Sequence, residues 1–260
     1  MCGRYANAQA KNELARRYEI DQLSLVLPEP SFNIKPTDQV PIVLESHKIR
    51  GERRLESARW SLIPPWSKEA VVSFPTFNAR VETAAEKPSF KGSVRNRRCI
   101  LPATGYYEWH TVEKVKTPYF ITPASRTEAD TVPYRNGSEP SEAEKPLIHL
   151  AGLYSWWKNP DPEAVTNGGS PWVLSATILT RASAGKLANI HDRMPMMVPE
   201  NLIDPWLDPR VLGSQSFLED FAAGTLSVTN ALDFYPVAPL SGDGPMLIEP
   251  LKTSETGERL

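Results

Sequence analysis

The segments CILPATGYYEWH (residues 99–110) and TPYFITP (117–123) are rich in aromatic and β-branched residues, the composition typical of β-strands. They predict two strands of a hairpin or meander. Comparable apolar runs, broken by prolines and turn residues, lie on both sides of this pair and predict further strands. These runs are FNIKP (32–36), QVPIVLES (39–46), RRLESARWSLIPPW (53–66), LIHLAGLYSWW (147–157), WVLSATILT (172–180) and LSVTNALDFYPVA (226–238).

Fewer segments of the sequence predict helices than predict strands. AQAKNELARRYE (8–19) has helix-forming composition, with Leu14 and Tyr18 four residues apart. Because strands interleave with a few helices without regular βαβ units, the sequence predicts an α+β fold. We expect a single domain whose mixed, mainly antiparallel sheet forms a closed or nearly closed barrel with flanking helices. The other predicted helices are a short one near Val81–Glu86 and the segments ASAGKLANI (182–190), PENLIDPWLDP (199–209) and SFLEDFAAG (216–224).

Local composition sets the expected domain boundaries. We expect one domain over residues 1–240 and a partly ordered C-terminal tail over 241–260. Residues 123–146 are polar and rich in Pro, Ser and Glu, and residues 159–171 are similar. We therefore expect both segments to be mobile insertions.

The overall composition excludes several classes of protein. With 260 residues, 40% of them hydrophobic and 23% charged, the chain is unlike a disordered protein, a coiled coil or a collagen. Its first 25 residues lack the apolar core of a secretion signal, and no apolar run approaches the roughly 20 residues of a membrane span. With two cysteines and four scattered histidines, we expect a cytoplasmic location (at the nucleoid in a bacterium), no membrane association, no cofactor and no zinc. A site made only of carboxylates stays open.

The net charge of −2 argues at first against binding to nucleic acid. The acidic charge is concentrated, however, because residues 128–144 carry −4, residues 159–164 carry −2 and residues 241–260 carry −2. The rest of the chain therefore carries +6. A basic body of this kind is what binding to phosphates requires.

Cys2 would become the N-terminal residue if Met1 were removed. An N-terminal cysteine carries an α-amine and a thiol two carbons apart. The α-amine, with a reference pKa of about 7.7–8.0, is partly neutral at pH 7 and attacks aldehydes, and the thiol can then close on the imine as a thiazolidine. The same residue could also attack an acyl group, with the amine as base. Both kinds of chemistry stay open, and so does the alternative that residue 2 is a cysteine by chance.

FNARVET (77–83) is a second candidate site motif. Asn78, Arg80 and Glu82 alternate in it, so they would share one face of an extended strand. The alternative is a solvated strand edge without a function in chemistry.

Two more segments contain groups suited to proton transfer. GYYEWH (105–110) places Glu108 among aromatic residues, where burial would raise its pKa and suit it to general acid catalysis. NIHDRMP (189–195) contains His191 in a polar triplet between apolar flanks, and histidine is the natural proton carrier near pH 7. A carboxylate paired with an arginine and a structural histidine are the alternatives.

Several motifs occur in a fixed order and together resemble one family. The ordered set is similar to the SRAP family, the SOS response-associated peptidases, which shield abasic sites in single-stranded DNA. The resemblance runs from Met1 to about Pro239 and leaves the two insertions and the tail uncovered. The motifs are MCGRYA (1–6), FNIKP (32–36), WSLIPPW (60–66), FNARVET (77–83), RRCILPATGYYEW (97–109), LAGLYSWW (150–157), ILT (178–180) and IHDRMP (190–195).

The resemblance implies a catalytic set. Cys2, exposed by removal of Met1, would form the crosslink to DNA, and Asn78 would hold its α-amine. Glu108 would be the general acid and base that helps open the abasic sugar and form the imine. His191 would assist ring opening, proton transfer and reversal of the crosslink.

The resemblance also implies a path for single-stranded DNA that contains abasic sites. Arg80 would grip a phosphate beside the lesion, and an aromatic wall would stack on bases. Lys35 departs from the family, whose members often carry a small residue at that position. No metal is implied, and we expect a monomer. The residues assigned to DNA binding are Arg4, Pro36, Trp60, Trp66, Arg80, Thr180 and Arg193, with Pro65 beside the aromatic wall.

The implied mechanism is capture of the open aldehyde of an abasic sugar by the Cys2 amine and thiol. The stable thiazolidine would protect the strand from β-elimination, and the imine alone would permit latent lyase activity. Three rivals stay open: an N-terminal-nucleophile glutamine amidotransferase or hydrolase, a non-catalytic reader of modified DNA bases, and a protease that cleaves other proteins. We expect any peptidase activity to be confined to Met1.

Overall fold

The computed structural model describes residues 2–124, 146–161, 170–224 and 226–251. Most of the predicted insertions and the end of the predicted tail lie outside the described residues. The strands are β1 (Arg4–Asn7), β2 (Gln22–Leu23), β3 (Ser31–Ile34), β4 (Gln39–Glu45), β5 (Arg53–Trp60), β6 (Asn78–Arg80), β7 (Arg98–Ala103), β8 (Gly105–Val112), β9 (Val115–Pro123), β10 (Ile148–Lys158), β11 (Trp172–Ala182), β12 (Arg193–Pro195) and β13 (Leu232–Pro236).

The helices are short and lie between strands. Three further segments, Gly185–Asn189, Glu200–Leu202 and Pro245–Ile248, form single turns of 3₁₀ helix. The α-helices are α1 (Lys11–Arg17), α2 (Lys91–Asn96), α3 (Ile203–Leu207), α4 (Gln215–Gly224) and α5 (Leu226–Asn230).

Five strands close into a barrel. β5, β4, β7, β10 and β11 pair antiparallel in this order, and β11 then pairs in parallel with β5 at Ser175–Arg59 and Ala176–Trp60. Three short strands extend this sheet, since β2 pairs with β5, and β6 and β12 pair with β11. The predicted α+β fold with a closed, mixed and mainly antiparallel barrel is confirmed.

A second, antiparallel sheet has the order β13-β9-β8-β1-β3. It packs on the barrel through residues such as Tyr5, Tyr106 and Ile121, which belong to the same buried cluster as the barrel interior. The other faces of the barrel strands are covered by the helices α1 to α4. The two sheets therefore meet along one buried boundary, and the chain enters that boundary at β1.

The predicted strand over residues 99–110 is corrected to two strands in different sheets. β7 ends at Ala103 in the barrel, and β8 begins at Gly105 in the second sheet. A Cβ atom at Gly105 would lie 2.3 Å from Cζ of Phe120 and 2.5 Å from the carbonyl oxygen of Ile121. The crossing between the sheets therefore requires glycine at this position.

Three other predictions of local structure are also corrected. Val81–Glu86 forms turns, and the helix of this region lies further on, at α2. The predicted helix 182–190 is a 3₁₀ turn. The predicted strand 226–238 begins as helix α5, because only its second half finds a partner, in β9.

The part of the predicted tail that is described packs on the second sheet. Asp243 accepts a hydrogen bond from the Phe32 amide at 2.7 Å, and the Asn33 side chain donates to the Gly242 carbonyl at 2.6 Å. Leu247 is buried. Residues 241–251 therefore cover the β3 edge of this sheet.

We expect Gly105→Ala to lower the free energy of unfolding by about 1–3 kcal/mol, the usual cost of overpacking a core. Urea denaturation measures this change. Gly92→Ala is the matched control, because a Cβ atom there meets nothing within 4 Å and alanine favours helix α2. Equal stability of Gly105→Ala and the parent would contradict the proposed reason for the break between β7 and β8.

Candidate active site

Cys2 lies at the boundary between the barrel and the second sheet and is completely buried. The Asn78 side chain donates a hydrogen bond to the Cys2 carbonyl at 2.7 Å. The Cys2 thiol lies 3.8 Å from the Arg4 carbonyl. Burial, reinforced by the nearby Glu108 carboxylate, raises the pKa of the Cys2 thiol well above its ordinary value, so the thiol is neutral in this state.

Asn78 reaches Cys2 because β6 runs parallel to β11, with Asn78 paired to Ile178. The Asn78 Oδ1 atom is buried, and no residue in the described ranges donates a hydrogen bond to it. A buried acceptor without a donor is costly. The amide therefore presents one unused acceptor beside the first residues of the chain.

Glu108 lies on β8, two residues after Tyr106, so the two side chains share the face turned toward the barrel. Only 4% of Glu108 is exposed. Burial raises its pKa from 4.5 to about 7, and the Asp192 carboxylate adds to this rise. A carboxyl group with this pKa both donates and accepts protons at neutral pH.

His191 has two alternative partners at one ring nitrogen. Its Nδ1 accepts a hydrogen bond from the Arg193 amide at 2.9 Å, and Oδ1 of Asp192 lies 2.8 Å from the same atom. With Nδ1 as acceptor, the neutral ring carries its proton on Nε2, whereas protonation would turn Nδ1 toward Asp192. Burial lowers the pKa of His191, which favours the neutral ring.

Arg193 is held by an ion pair that the sequence did not predict. Its two terminal nitrogens donate to the Glu82 carboxylate at 2.7 and 2.9 Å, and one of them also donates to the Thr180 carbonyl at 2.6 Å. The hydrogen bond from Arg193 lowers the pKa of Glu82. Thr180 itself is fully buried. Thr180 lies behind Arg193 in this structure, and its contact with DNA stays a prediction.

An open cleft of about 640 Å³ begins at Asn78 and Arg80. Trp66 and Phe74, 59% and 44% exposed, stand on its wall, and Lys87 adds a second cation. Exposed aromatic rings beside cations suit single-stranded nucleic acid. Neither Phe74 nor Lys87 was predicted from the sequence. The only signals for them are that Phe74 lies in a loop and that Lys87 lies close to FNARVET (77–83).

Trp60 and Trp66 belong to the same motif but have different environments. Trp60 is completely buried, packs edge to face on Tyr5 and donates its indole N–H to the Phe77 carbonyl at 2.9 Å. Neither face of its ring is exposed in this structure, and its place in the DNA-binding wall stays a prediction. The Trp66 loop is anchored instead by Trp157, whose indole N–H donates to the Ser67 carbonyl at 2.8 Å.

Arg4 and Pro36 lie near this region in different ways. Arg4, half-buried on β1, donates to Oδ1 of Asn33 at 2.6 Å. Pro36 is half-exposed in the turn between β3 and β4, next to Thr37, whose amide donates to the Trp60 carbonyl. Lys35 is exposed, and its amide donates to Asp38.

The structure brings Cys2, Asn78 and Glu108 together, and it sets Arg80 and Trp66 in the adjoining cleft.

No group of three or more His, Cys, Asp or Glu residues with the spacing of a metal site occurs within the described ranges. Over the same part of the chain, no helix has the length and apolar character needed to cross a membrane.

A family model for SOS response associated peptidase (SRAP) matches residues 1–242. The chain belongs to the SRAP family. Among curated SRAP relatives, abasic site processing protein YoqW of Bacillus subtilis is 32% identical over 215 residues, which cover 81% of each chain. Abasic site processing protein HMCES of Rattus norvegicus is 29% identical over 256 residues, which cover 91% of this chain and 67% of that one. The resemblance inferred from the ordered motifs is thus confirmed.

Solved structures share the architecture of this chain. A protein from Bacteroides thetaiotaomicron has a TM-score of 0.72 at 21% identity, covering 96% of this chain and 100% of its own. A protein from Bordetella bronchiseptica has a TM-score of 0.67 at 20% identity, covering 92% of this chain and 100% of its own. At these identities the likeness establishes the architecture alone.

We expect Glu108→Gln to stabilise this SRAP domain above pH 7. The raised pKa of about 7 means that ionising Glu108 costs more in the folded chain than in the unfolded chain, where the carboxyl group ionises near pH 4.5. Removing that cost should raise the free energy of unfolding by about 3 kcal/mol at pH 8, an advantage that shrinks below pH 7 and vanishes near pH 4.5.

Urea denaturation of the parent and the variant between pH 4.5 and 8 measures this difference. Glu113→Gln, on the exposed turn between β8 and β9, is the matched control and should show no such trend. A stability difference between Glu108→Gln and the parent that stays constant across this range would contradict a raised pKa for Glu108.

Proposed function

We propose that this protein captures abasic sites in single-stranded DNA as a covalent adduct at Cys2, after removal of Met1. One observation carries the proposal: the residue that follows Met1 is buried against Asn78 and beside a carboxyl group with a pKa of about 7. The names of the relatives, abasic site processing proteins, support the same substrate. While Met1 is attached, the Cys2 nitrogen is an amide and cannot act as a nucleophile.

The first chemical step is formation of an imine. The neutral α-amine of Cys2 attacks C1′ of the open aldehyde, and the resulting carbinolamine loses one water. Glu108, protonated in half of the molecules near pH 7, supplies the proton for the departing hydroxyl and accepts it back later. The unused Oδ1 of Asn78 is the natural acceptor for an amine proton, so it would aim the nitrogen lone pair at C1′.

The second step closes the ring. The Cys2 sulfur adds to the imine carbon, and its proton passes to the nitrogen, so the five-membered thiazolidine forms without an oxidant or a leaving group. His191 is suited to shuttle protons, because its Nδ1 has a partner in both charge states. If the thiol fails to add, the imine permits β-elimination, which is the proposed latent lyase activity.

The cleft supplies the proposed path for the strand. Arg80 is exposed beside Asn78 and would bind a phosphate next to the lesion. Trp66 and Phe74 offer exposed rings on which bases stack, each worth about 1–3 kcal/mol. Arg193 would contact the DNA strand only if its ion pair with Glu82 broke. While that pair is intact, Arg193 positions the segment that carries His191.

We expect Cys2→Ala, with Met1 removed, to lose the stable crosslink while keeping residual strand cleavage through its free α-amine. A denaturing gel of an end-labelled abasic oligonucleotide resolves the crosslink and the cleaved strand together. Cys99→Ala is the matched control, because Cys99 is the other buried thiol and lies in the barrel core. It should crosslink like the parent.

A heat-stable adduct formed by Cys2→Ala would contradict the thiazolidine mechanism. A glutaminase assay on the Met1-free protein tests the amidotransferase alternative, and release of ammonia from glutamine would favour that alternative. Undiminished binding of a modified duplex by Cys2→Ser, without any crosslink in the parent, would favour the non-catalytic reader.

A further inference from the structure

Glu82 holds the Arg193 guanidinium in the geometry that an arginine also uses with a phosphate. The two terminal nitrogens of Arg193 donate to the two oxygens of the Glu82 carboxylate, at 2.7 and 2.9 Å. Arginine binds carboxylates and phosphates through the same pair of parallel N–H groups. The Glu82 carboxylate therefore occupies the donors that a phosphate would use.

This ion pair lies beside the cleft in which the DNA strand is proposed to bind. Arg80 and Thr83, which lie on either side of Glu82 in the chain, both line that cleft. Val81 is buried, whereas its two neighbours Arg80 and Glu82 are exposed. A strand that binds Arg80 through one phosphate would therefore pass close to the Glu82 carboxylate.

The Glu82 carboxylate lies among cations. Burial lowers the pKa of Arg181, and the charge of Glu82 opposes this shift while the charge of Arg193 adds to it, so both charges lie near Arg181. Arg80 and Lys87 add two more cations on the cleft itself. Because a carboxylate at this position weakens the positive potential that attracts phosphates, Glu82 acts against the binding of a DNA strand.

Glu82 is the partner that can leave the ion pair. Its side chain is 49% exposed, whereas that of Arg193 is 14% exposed. Arg193 also donates to the Thr180 carbonyl at 2.6 Å, and this hydrogen bond holds the guanidinium in place without Glu82. An ion pair with an exposed partner contributes little net stability, because water solvates the charges when they separate. A phosphate can therefore replace the carboxylate at small cost.

We propose that Glu82 is an internal substitute for a DNA phosphate, which keeps Arg193 occupied until a strand in the cleft displaces it. This inference rests on the proposed function, since it takes the cleft as the DNA path. Each strand that binds must break the ion pair, so Glu82 lowers the affinity for undamaged strands. A strand with an abasic site is still retained, because it bonds covalently to Cys2. Glu82 thus favours the release of strands that offer no aldehyde.

Binding of undamaged DNA tests this role of Glu82. Fluorescence anisotropy at low ionic strength measures the affinity of the full-length, Met1-free protein for an undamaged single strand. Glu82→Gln keeps the shape of the side chain and removes its charge, so it should bind about three- to fivefold more tightly than the parent. Glu82→Ala, which also removes the carboxylate, should show the same gain.

Two controls separate the ion pair from the loss of a negative charge in general. Glu86→Gln removes another exposed carboxylate from the turns that follow β6, and screening should keep its effect below about twofold. Glu82→Gln/Arg193→Gln should exceed Arg193→Gln in affinity by no more than Glu86→Gln exceeds the parent, because the gain requires Arg193. Thermal unfolding checks that each variant is folded. Crosslinking of an abasic oligonucleotide by the parent reports the proposed function separately.

Three outcomes would overturn the proposal. The first is an affinity of Glu82→Gln and Glu82→Ala that equals or falls below that of the parent, since the carboxylate would then support binding. The second is an equal gain for Glu82→Gln and Glu86→Gln. The third is a gain from Glu82→Gln that persists in full when Arg193 is replaced by Gln.

Discussion

β11 is the strand on which both the barrel and the site depend. It closes the barrel by pairing in parallel with the end of β5 at Ala176–Trp60, and only two residues later it pairs with β6 at Ile178–Asn78. The loop between these two contacts carries Trp66 and Phe74. β12 pairs with the other edge of β11 at Ala182–Arg193 and so brings His191 to the same end of the sheet. One strand therefore aligns an amide, a proton carrier and an aromatic wall around the buried N-terminal segment.

The site keeps groups in states that a folded core usually avoids. Glu108 is buried at the cost of its charge, and Asn78 leaves one buried acceptor unused. Each of these features weakens the fold or leaves a polar group unsatisfied, as expected where chemistry and stability compete. The ion pair between Arg193 and Glu82 joins the segment that carries His191 to the turn that follows β6.

Local patterns in the sequence predicted most strands and the candidate site but not their long-range contacts. Apolar runs between prolines and turn residues predicted β4, β5, β10 and β11, and the chemistry of Cys2 and Glu108 was visible in their neighbours. The parallel closure between β5 and β11 joins residues more than a hundred positions apart, so no local pattern reports it. The break at Gly105 depends on the Phe120 ring, and the difference between Trp60 and Trp66 depends on which side of the barrel wall each residue reaches.

The proposed roles of Cys2, Asn78 and Glu108 all require that the α-nitrogen of Cys2 become a free amine and then bond to carbon. Intact mass of the purified protein, measured with and without abasic single-stranded DNA and followed by peptide mapping, reports both events. We predict a mass that lacks Met1 and, with DNA, a heat-stable adduct mapped to Cys2 with loss of one water. Retention of Met1 together with a stable adduct, or an adduct mapped to another residue, would contradict capture by the N-terminal cysteine.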